Sequence, residues 1–228
     1  MQIEQFPTPN MGERRDGALP DSVLLHYTAM GETRAVLEWL ATPEAQVSAH
    51  YVISPEGAVW QMVPEEMRAW HAGAACWGGC VDVNSRSIGI EIVNTSVEPF
   101  AWPQMRAVET LVAAIRERWA VPVERVLGHS DVAPGRKIDP GRRFDWQALA
   151  RQGLAVWSEA QGTGGADEAR FMQDARAFGY RADVPFDTLL EAFRSRFRPA
   201  ARGGFDATDC ARMADLAARY PVDLGAMV

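Results

Sequence analysis

Apolar residues in the first 130 positions fall into short runs separated by turn signals. Val23-Leu24-Leu25, Ala49–Ile53, Ala58–Val63, Ile88–Val93 and Val126-Leu127 have the length and composition of strands. Ser54-Pro55-Glu56-Gly57, between the second and third of these, reads as a hairpin-type turn. Two segments follow a helical period instead. Thr33 to Leu40 puts Val36, Leu37 and Leu40 on one face, with Thr33 as its cap. Pro103 to Trp119 carries a stripe of Val108, Leu111, Val112, Ile115 and Trp119, and Pro103 suits a first helical position. Trp146 to Gln152 reads as a closing helix. Strands alternating with helices predict an α/β sheet covered by helices. Residues 1–20, punctuated by Pro and Gly, are expected to lie extended over the surface. The irregular stretch from Trp70 to Asn84 is long for a structureless loop and is expected to form a lid or pocket wall.

The pattern changes at Gln161-Gly162-Thr163-Gly164-Gly165, which has the composition of a linker. Three short helical patterns follow, at Asp167–Phe178, at Phe186–Phe197 and at Thr208–Tyr220. The clearest places Leu189, Leu190, Phe193 and Phe197 three, four, seven and eleven residues after Phe186. The chain therefore divides into an expected catalytic unit, residues 1–160, and an appended three-helix module, residues 166–228. The module is small for independent stability. On this division, a chain cut near Gly162 keeps its chemistry.

The composition, 47% apolar and 23% charged over 228 residues, is that of a soluble globular protein. A net charge of −7 argues against nucleic acid or an anionic membrane as the main partner. No run has the length of a transmembrane helix. The first residues lack the basic and apolar blocks of a secretory signal, which predicts a cytoplasmic protein, or a periplasmic or envelope one if Met1 replaces a removed signal. Three cysteines make no disulfide framework, and Cys76 and Cys80 either bridge or stay reduced. The sequence does not set the oligomeric state.

Candidate chemistry gathers at Gly128–Gly141, G-H-S-D-V-A-P-G-R-K-I-D-P-G, a loop held by glycine and proline turns. His129 stands where a strand ends, and Asp139 follows ten residues later. Imidazole plus carboxylate is two thirds of a three-ligand catalytic zinc site, although Asp139 could equally cap a turn. All four histidines precede residue 130, and His26 and His50 adjoin strand-like runs, so the third ligand stays open on spacing alone. Glu91 lies on the strand face opposite Ile88, Ile90 and Ile92. It is either a desolvated carboxylate able to carry a proton near neutral pH or a solvated edge residue. Lys137, two before Asp139, either steadies an oxyanion or is a loop cation. His26-Tyr27-Thr28 and Trp70-His71-Ala72-Gly73 either line a cleft or pack.

L-H-Y-T at Leu25–Thr28, S-A-H-Y at Ser48–Tyr51, A-W-H-A-G at Ala69–Gly73, S-I-G-I-E-I-V-N at Ser87–Asn94 and the Gly128–Gly141 loop occur in that order. Together, from Val23 to Gln152, they resemble the zinc N-acetylmuramoyl-L-alanine amidases of the AmpD-like (amidase type 2) family. The tail, with F-R-S-R-F-R-P at Phe193–Pro199, is similar to the helical peptidoglycan-binding-like module that follows the catalytic domain in some members. The resemblance implies a mixed β-sheet covered by helices. It also implies one zinc ion per chain on His26, His129 and Asp139, with Glu91 acting on the attacking water and Lys137 on the oxyanion. Tyr27, His50, His71, Asn94 and Arg136 become candidate substrate contacts. The substrate would be peptidoglycan or a muropeptide, cut between N-acetylmuramic acid and L-alanine. The C-W-G-G-C insert at Cys76–Cys80 departs from the pattern and bears on one rim of the cleft. The competing reading is a peptidoglycan-recognition protein of the same fold that binds without cutting. All three ligands, the glutamate and the lysine are present, which favours the enzyme.

Overall fold

The computed structural model describes residues 1–180 and 183–222. The end of the expected module, residues 223–228, lies outside the described residues. In chain order the elements are β1 (Glu4–Gln5), β2 (Met11–Glu13), β3 (Ser22–Tyr27), α1 (Thr33–Ala41), β4 (Tyr51–Ile53), β5 (Val59–Gln61) and β6 (Met67–Ala69). Then come α2 (Val83–Arg86), β7 (Ser87–Ile92), α3 (Trp102–Trp119), β8 (Val126–Gly128), α4 (His129–Val132), α5 (Trp146–Arg151), α6 (Glu168–Phe178), α7 (Phe186–Phe197) and α8 (Ala207–Arg219). Six strands form one mixed sheet in the order β1-β5-β4-β7-β3-β8. Within it β3 runs parallel to both β7 and β8, and β4 and β5 form the antiparallel hairpin. No helix among the described residues is long and apolar enough to cross a membrane.

The central strands read as unbroken apolar runs because both faces of the sheet are covered. Val23, Leu25, Ile88, Ile90 and Ile92 pack on the stripe of α3 and on Trp146 and Leu149 of α5. Leu24 and Leu127, which are paired in register, point the other way. They share a cluster with Val132 and with Phe171, Phe193, Phe197 and Leu216 of the C-terminal helices. The tail thus closes one end of this second face. At its other end α1 covers Val52 and Val93. The side chains left between these covers are His26 and Glu91, partners across β3 and β7.

Residues 1–20 do more than lie over the surface. Glu4–Gln5 adds a parallel edge strand to β5, and Met11–Glu13 pairs with β6 in a two-stranded ladder. Arg14 is buried, donating to Glu65 O (2.7 Å) and Ser85 O (2.8 Å). The cap of α1 is Glu32, one residue before the expected Thr33, because its longer carboxylate reaches the Arg34 and Ala35 amides. The Cys76–Cys80 insert turns away from the site and seats on the tail. Gly78 N–H donates to Gly179 O at 2.8 Å, and Trp77 meets Phe178 and Tyr180 edge-on at 5.4 and 5.2 Å.

Candidate metal centre

Three short pieces of chain deliver three donors to one point. His26 sits near the end of β3, His129 opens α4 directly after β8, and Asp139 closes the loop that follows. His26 Nδ1 lies 2.9 Å from His129 Nδ1 and 2.9 Å from Asp139 Oδ2, and His129 Nδ1 lies 3.0 Å from the same oxygen. All three residues are buried.

The far nitrogens decide what these near atoms are. Ser87 Oγ–H donates to Val83 O at 2.6 Å, so its oxygen accepts from His71 Nε2–H at 3.2 Å. His71 Nδ1 then accepts from His26 Nε2–H at 3.0 Å, which leaves His26 Nδ1 with a bare lone pair. His129 Nε2–H donates to Ala72 O at 3.0 Å and likewise leaves its Nδ1 bare. Two lone pairs and a carboxylate within 3 Å repel one another unless a cation stands between them. The donor set, two imidazoles and one carboxylate with each imidazole anchored from behind, fits a divalent metal with an open position. Burial, then the neighbouring His129, depresses the His26 pKa to about 4, so its imidazole stays neutral and able to ligate.

Glu91 reaches the same cavity, whose volume is about 530 Å³. As a residue it is partly exposed, yet its Oε2 is sealed with no hydrogen-bond partner. Burial, reinforced by the charge of Asp139 and opposed by Lys137, raises its pKa well above the usual carboxylate range. Lys137 lines the cavity from the exposed side of the loop. A carboxyl group with a raised pKa, a cation and a metal-type donor set in one cleft can direct water onto a carbonyl.

A family profile described as N-acetylmuramoyl-L-alanine amidase, amidase type 2, matches residues 16–142. The chain belongs to this family. It is 33% identical over 216 residues to the N-acetylmuramoyl-L-alanine amidase AmiD of Escherichia coli K12, spanning 80% of this chain and 76% of that protein. It is 38% identical over 162 residues to the 1,6-anhydro-N-acetylmuramyl-L-alanine amidase AmpD of Citrobacter freundii, spanning 64% and 87%. The solved structure of AmiD from E. coli, in complex with the substrate anhydro-N-acetylmuramic acid-L-Ala-D-γ-Glu-L-Lys, superposes with a TM-score of 0.82 at 31% identity. That match covers 92% of this chain and 94% of that one.

Within this amidase fold the expected site residues separate. Tyr27, His71, Glu91, His129, Arg136, Lys137 and Asp139 line the cavity with His26. Arg136 spends its guanidinium on Ala72 O (2.5 Å) and Ala74 O (2.7 Å), holding the loop that carries the His129 anchor. His50 and Asn94 stand off the cavity wall. His50 Nδ1 accepts from Gly89 N–H at 2.9 Å, and Asn94 Oδ1 accepts from Ser96 N–H at 2.7 Å. Gly89 is required here, because a Cβ at that position would sit 2.5 Å from His71 Cγ. An apolar rim escapes the sequence reading. Trp39, Val47 and Ile138 line the cavity while remaining 51%, 42% and 66% exposed. The available signal was Trp39, a large aromatic on α1 off the stripe of Val36, Leu37 and Leu40.

Proposed function

We propose that this protein hydrolyses the amide bond between N-acetylmuramic acid and L-alanine in peptidoglycan or its muropeptide fragments, with one zinc ion per chain held by His26, His129 and Asp139. The observation that carries the reading is the convergence of His26 Nδ1, His129 Nδ1 and Asp139 Oδ2 within about 3 Å, beside the orphaned Oε2 of Glu91. Zinc, when bound, supplies Lewis acidity, making nearby water more acidic and polarising the scissile carbonyl. Glu91 accepts a proton from the attacking water as the new C–O bond forms, then returns it to the alanine nitrogen as the C–N bond breaks. Its raised pKa favours the protonated form that it takes between the two proton transfers. Lys137, at the open side of the cavity, offsets the charge that develops on the carbonyl oxygen. The apolar rim of Trp39, Val47 and Ile138 gives the sugar and lactyl groups a surface to rest on.

Catalysis belongs to residues 1–160 on this reading, and the segment from residue 166 adds a second contact with substrate. An open cleft of about 720 Å³, bordered by Gln147, Trp157, Arg198 and Arg212, supports such a contact where the two parts meet. The test is mass spectrometry of products from a defined muropeptide, with metal analysis of His129→Ala alongside. Release of free stem peptide by the wild type and loss of metal and turnover in the variant are expected. A variant with its full metal content removes His129 from the ligand set.

A further inference from the structure

Asp131 lies two residues past His129 in the same short turn, and it is only 1% exposed. A buried carboxylate needs its oxygens filled, and the way they are filled crosses the whole molecule. Oδ1 accepts from Tyr180 Oη–H at 2.7 Å. Oδ2 accepts from Arg196 Nη1–H at 2.5 Å and from the Gly128 amide at 2.8 Å. Arg196, itself 1% exposed on α7, also donates through Nη2 to Val126 O at 3.0 Å and stacks 4.2 Å from the Trp146 ring. Tyr180 and Arg196 both come from beyond the linker. Between them they hold the start of β8 at Val126 and, through Asp131, its end at Gly128. His129 is the next residue. Ser130 N–H donates to Asp139 O at 2.9 Å, so the same turn also fixes the third ligand's backbone.

We infer that Tyr180 and Arg196 are positioning residues of the metal centre, acting through Asp131 to hold the His129 turn and so making the C-terminal segment a brace of the active site. The inference rests on the reading of His129 as a ligand. It goes beyond that reading because it assigns a role in the chemistry to a segment that touches none of the reacting atoms. The brace is stiff because its charged groups are held from several sides, with only the buried Arg196 Nε left without a partner among the described residues. Asp131 has three donors, and Arg196 grips both a carboxylate and a strand carbonyl. Loss of either partner leaves the carboxylate underfilled in a dry place, and the turn must shift to find another donor or water.

Full-length wild type, Tyr180→Phe, Arg196→Gln, Leu216→Ala and His129→Ala are compared. Leu216, buried in the tail core and no part of the Asp131 hydrogen bonds, serves as a control for general destabilisation. Each protein is loaded with Co2+ for its visible spectrum, and Zn2+ affinity is measured by chelator competition at a temperature where circular dichroism shows it folded. Tyr180→Phe, which deletes one hydroxyl and keeps the ring on Trp77, is expected to weaken Zn2+ binding roughly 10-fold, at the low end for outer-shell partners, and to alter the Co2+ spectrum. Arg196→Gln should do more, and Leu216→Ala should lower the melting temperature while leaving affinity and spectrum unchanged. If Arg196→Gln does not fold, Tyr180→Phe carries the comparison. Wild-type affinity and spectrum in Tyr180→Phe would overturn the inference, as would equal changes in Leu216→Ala. His129→Ala with undiminished Zn2+ affinity would instead remove the ligand assignment beneath it.

Discussion

A chain ending at Gln161 tests how far the catalytic unit stands alone. The cut uncovers the lower end of the second sheet face, where Leu24, Leu127 and Val132 are 0%, 1% and 1% exposed in one cluster with Phe171, Phe193 and Phe197. Fully burying a side chain of this size is worth about 1.5–3 kcal/mol, so three of them account for about 4–9 kcal/mol. Whole domains are stable by only about 5–15 kcal/mol. The cut also takes away Tyr180 and Arg196, leaving Asp131 to find water in their place. Water can now reach it, which moderates that second loss, so the apolar exposure decides the outcome. At about 2–4 °C per kcal/mol for a chain of this length, the melting temperature should fall by roughly 10–30 °C. Differential scanning calorimetry of both zinc-loaded proteins measures the shift, with turnover of a soluble muropeptide assayed between the two transitions. The helices therefore contribute to folding even if they also grip substrate, and the cut chain should lose cleavage and sacculus binding together. A shortened protein that melts within a few degrees of the full chain and keeps its turnover would refute this reasoning.

Glu91→Gln should keep its zinc and lose about 10²–10⁴-fold in turnover, the usual contribution of a positioned acid-base group, and near-normal turnover would exclude the role. Because the folded-state pKa of Glu91 is raised, its ionisation weakens the metal-free fold as pH rises above the ordinary carboxylate range. The same variant should therefore gain stability over wild type at pH 7 but not at pH 3, as urea titrations at the two pH values would show. His71→Ala breaks the chain from Ser87 to His26 and should weaken zinc binding about 10–100-fold by chelator competition; unchanged affinity would remove His71 from the support of the ligand. His50 is held neutral, its pKa depressed to about 3 by burial and then by Arg14, so the stability it contributes is complete above pH 6.5 and is lost as pH falls from there toward 3. Replacing it with Gln should flatten the acid limb of the stability curve by about 1.4 kcal/mol per pH unit, and an unaltered slope in urea titrations would contradict the assignment.

The strands and the long helix were legible because periodicity and burial coincide there. Val108, Leu111, Val112 and Ile115 face one sheet surface, as their spacing predicts. The Gly128–Gly141 loop was legible as chemistry because so many turn-forming residues surround two ligand-type side chains. The third candidate ligand was not legible from spacing. His26, His50 and His71 all adjoin β-structure and are all buried, and their rings form one edge-to-face series with centroids 5.1 and 5.7 Å apart. What separates them is which nitrogen meets which partner: Gly89 N–H donates to His50 Nδ1, and Ser87 Oγ accepts from His71 Nε2–H. Those partners come from β7, and no feature of the local sequence around a histidine carries that information. The family resemblance selected His26 where spacing could not. The Ala72 carbonyl that anchors His129 was out of reach for the same reason, since every residue has a carbonyl and only the tertiary path brings this one near.

The run Val23-Leu24-Leu25 held more than it first yields. Successive residues on a strand face opposite sides, so three apolar residues in a row require a cover on each side. The helices within residues 1–160 cover the side of Val23 and Leu25, and α1 reaches the second side only near Val52 and Val93. Leu24 and its register partner Leu127 therefore needed a cover from elsewhere, and the Phe-rich stripe at Phe186–Phe197 was an apolar face left unassigned. A linker rich in glycine suggested separation, whereas the uncovered half of the sheet called for contact. Burial of apolar surface outweighs the modest cost of closing a five-residue linker, so the helices dock. That docking brings Tyr180 and Arg196 onto Asp131, and a strand that alternates Leu24 beneath the tail with His26 at the candidate metal centre couples the two by two residues of chain.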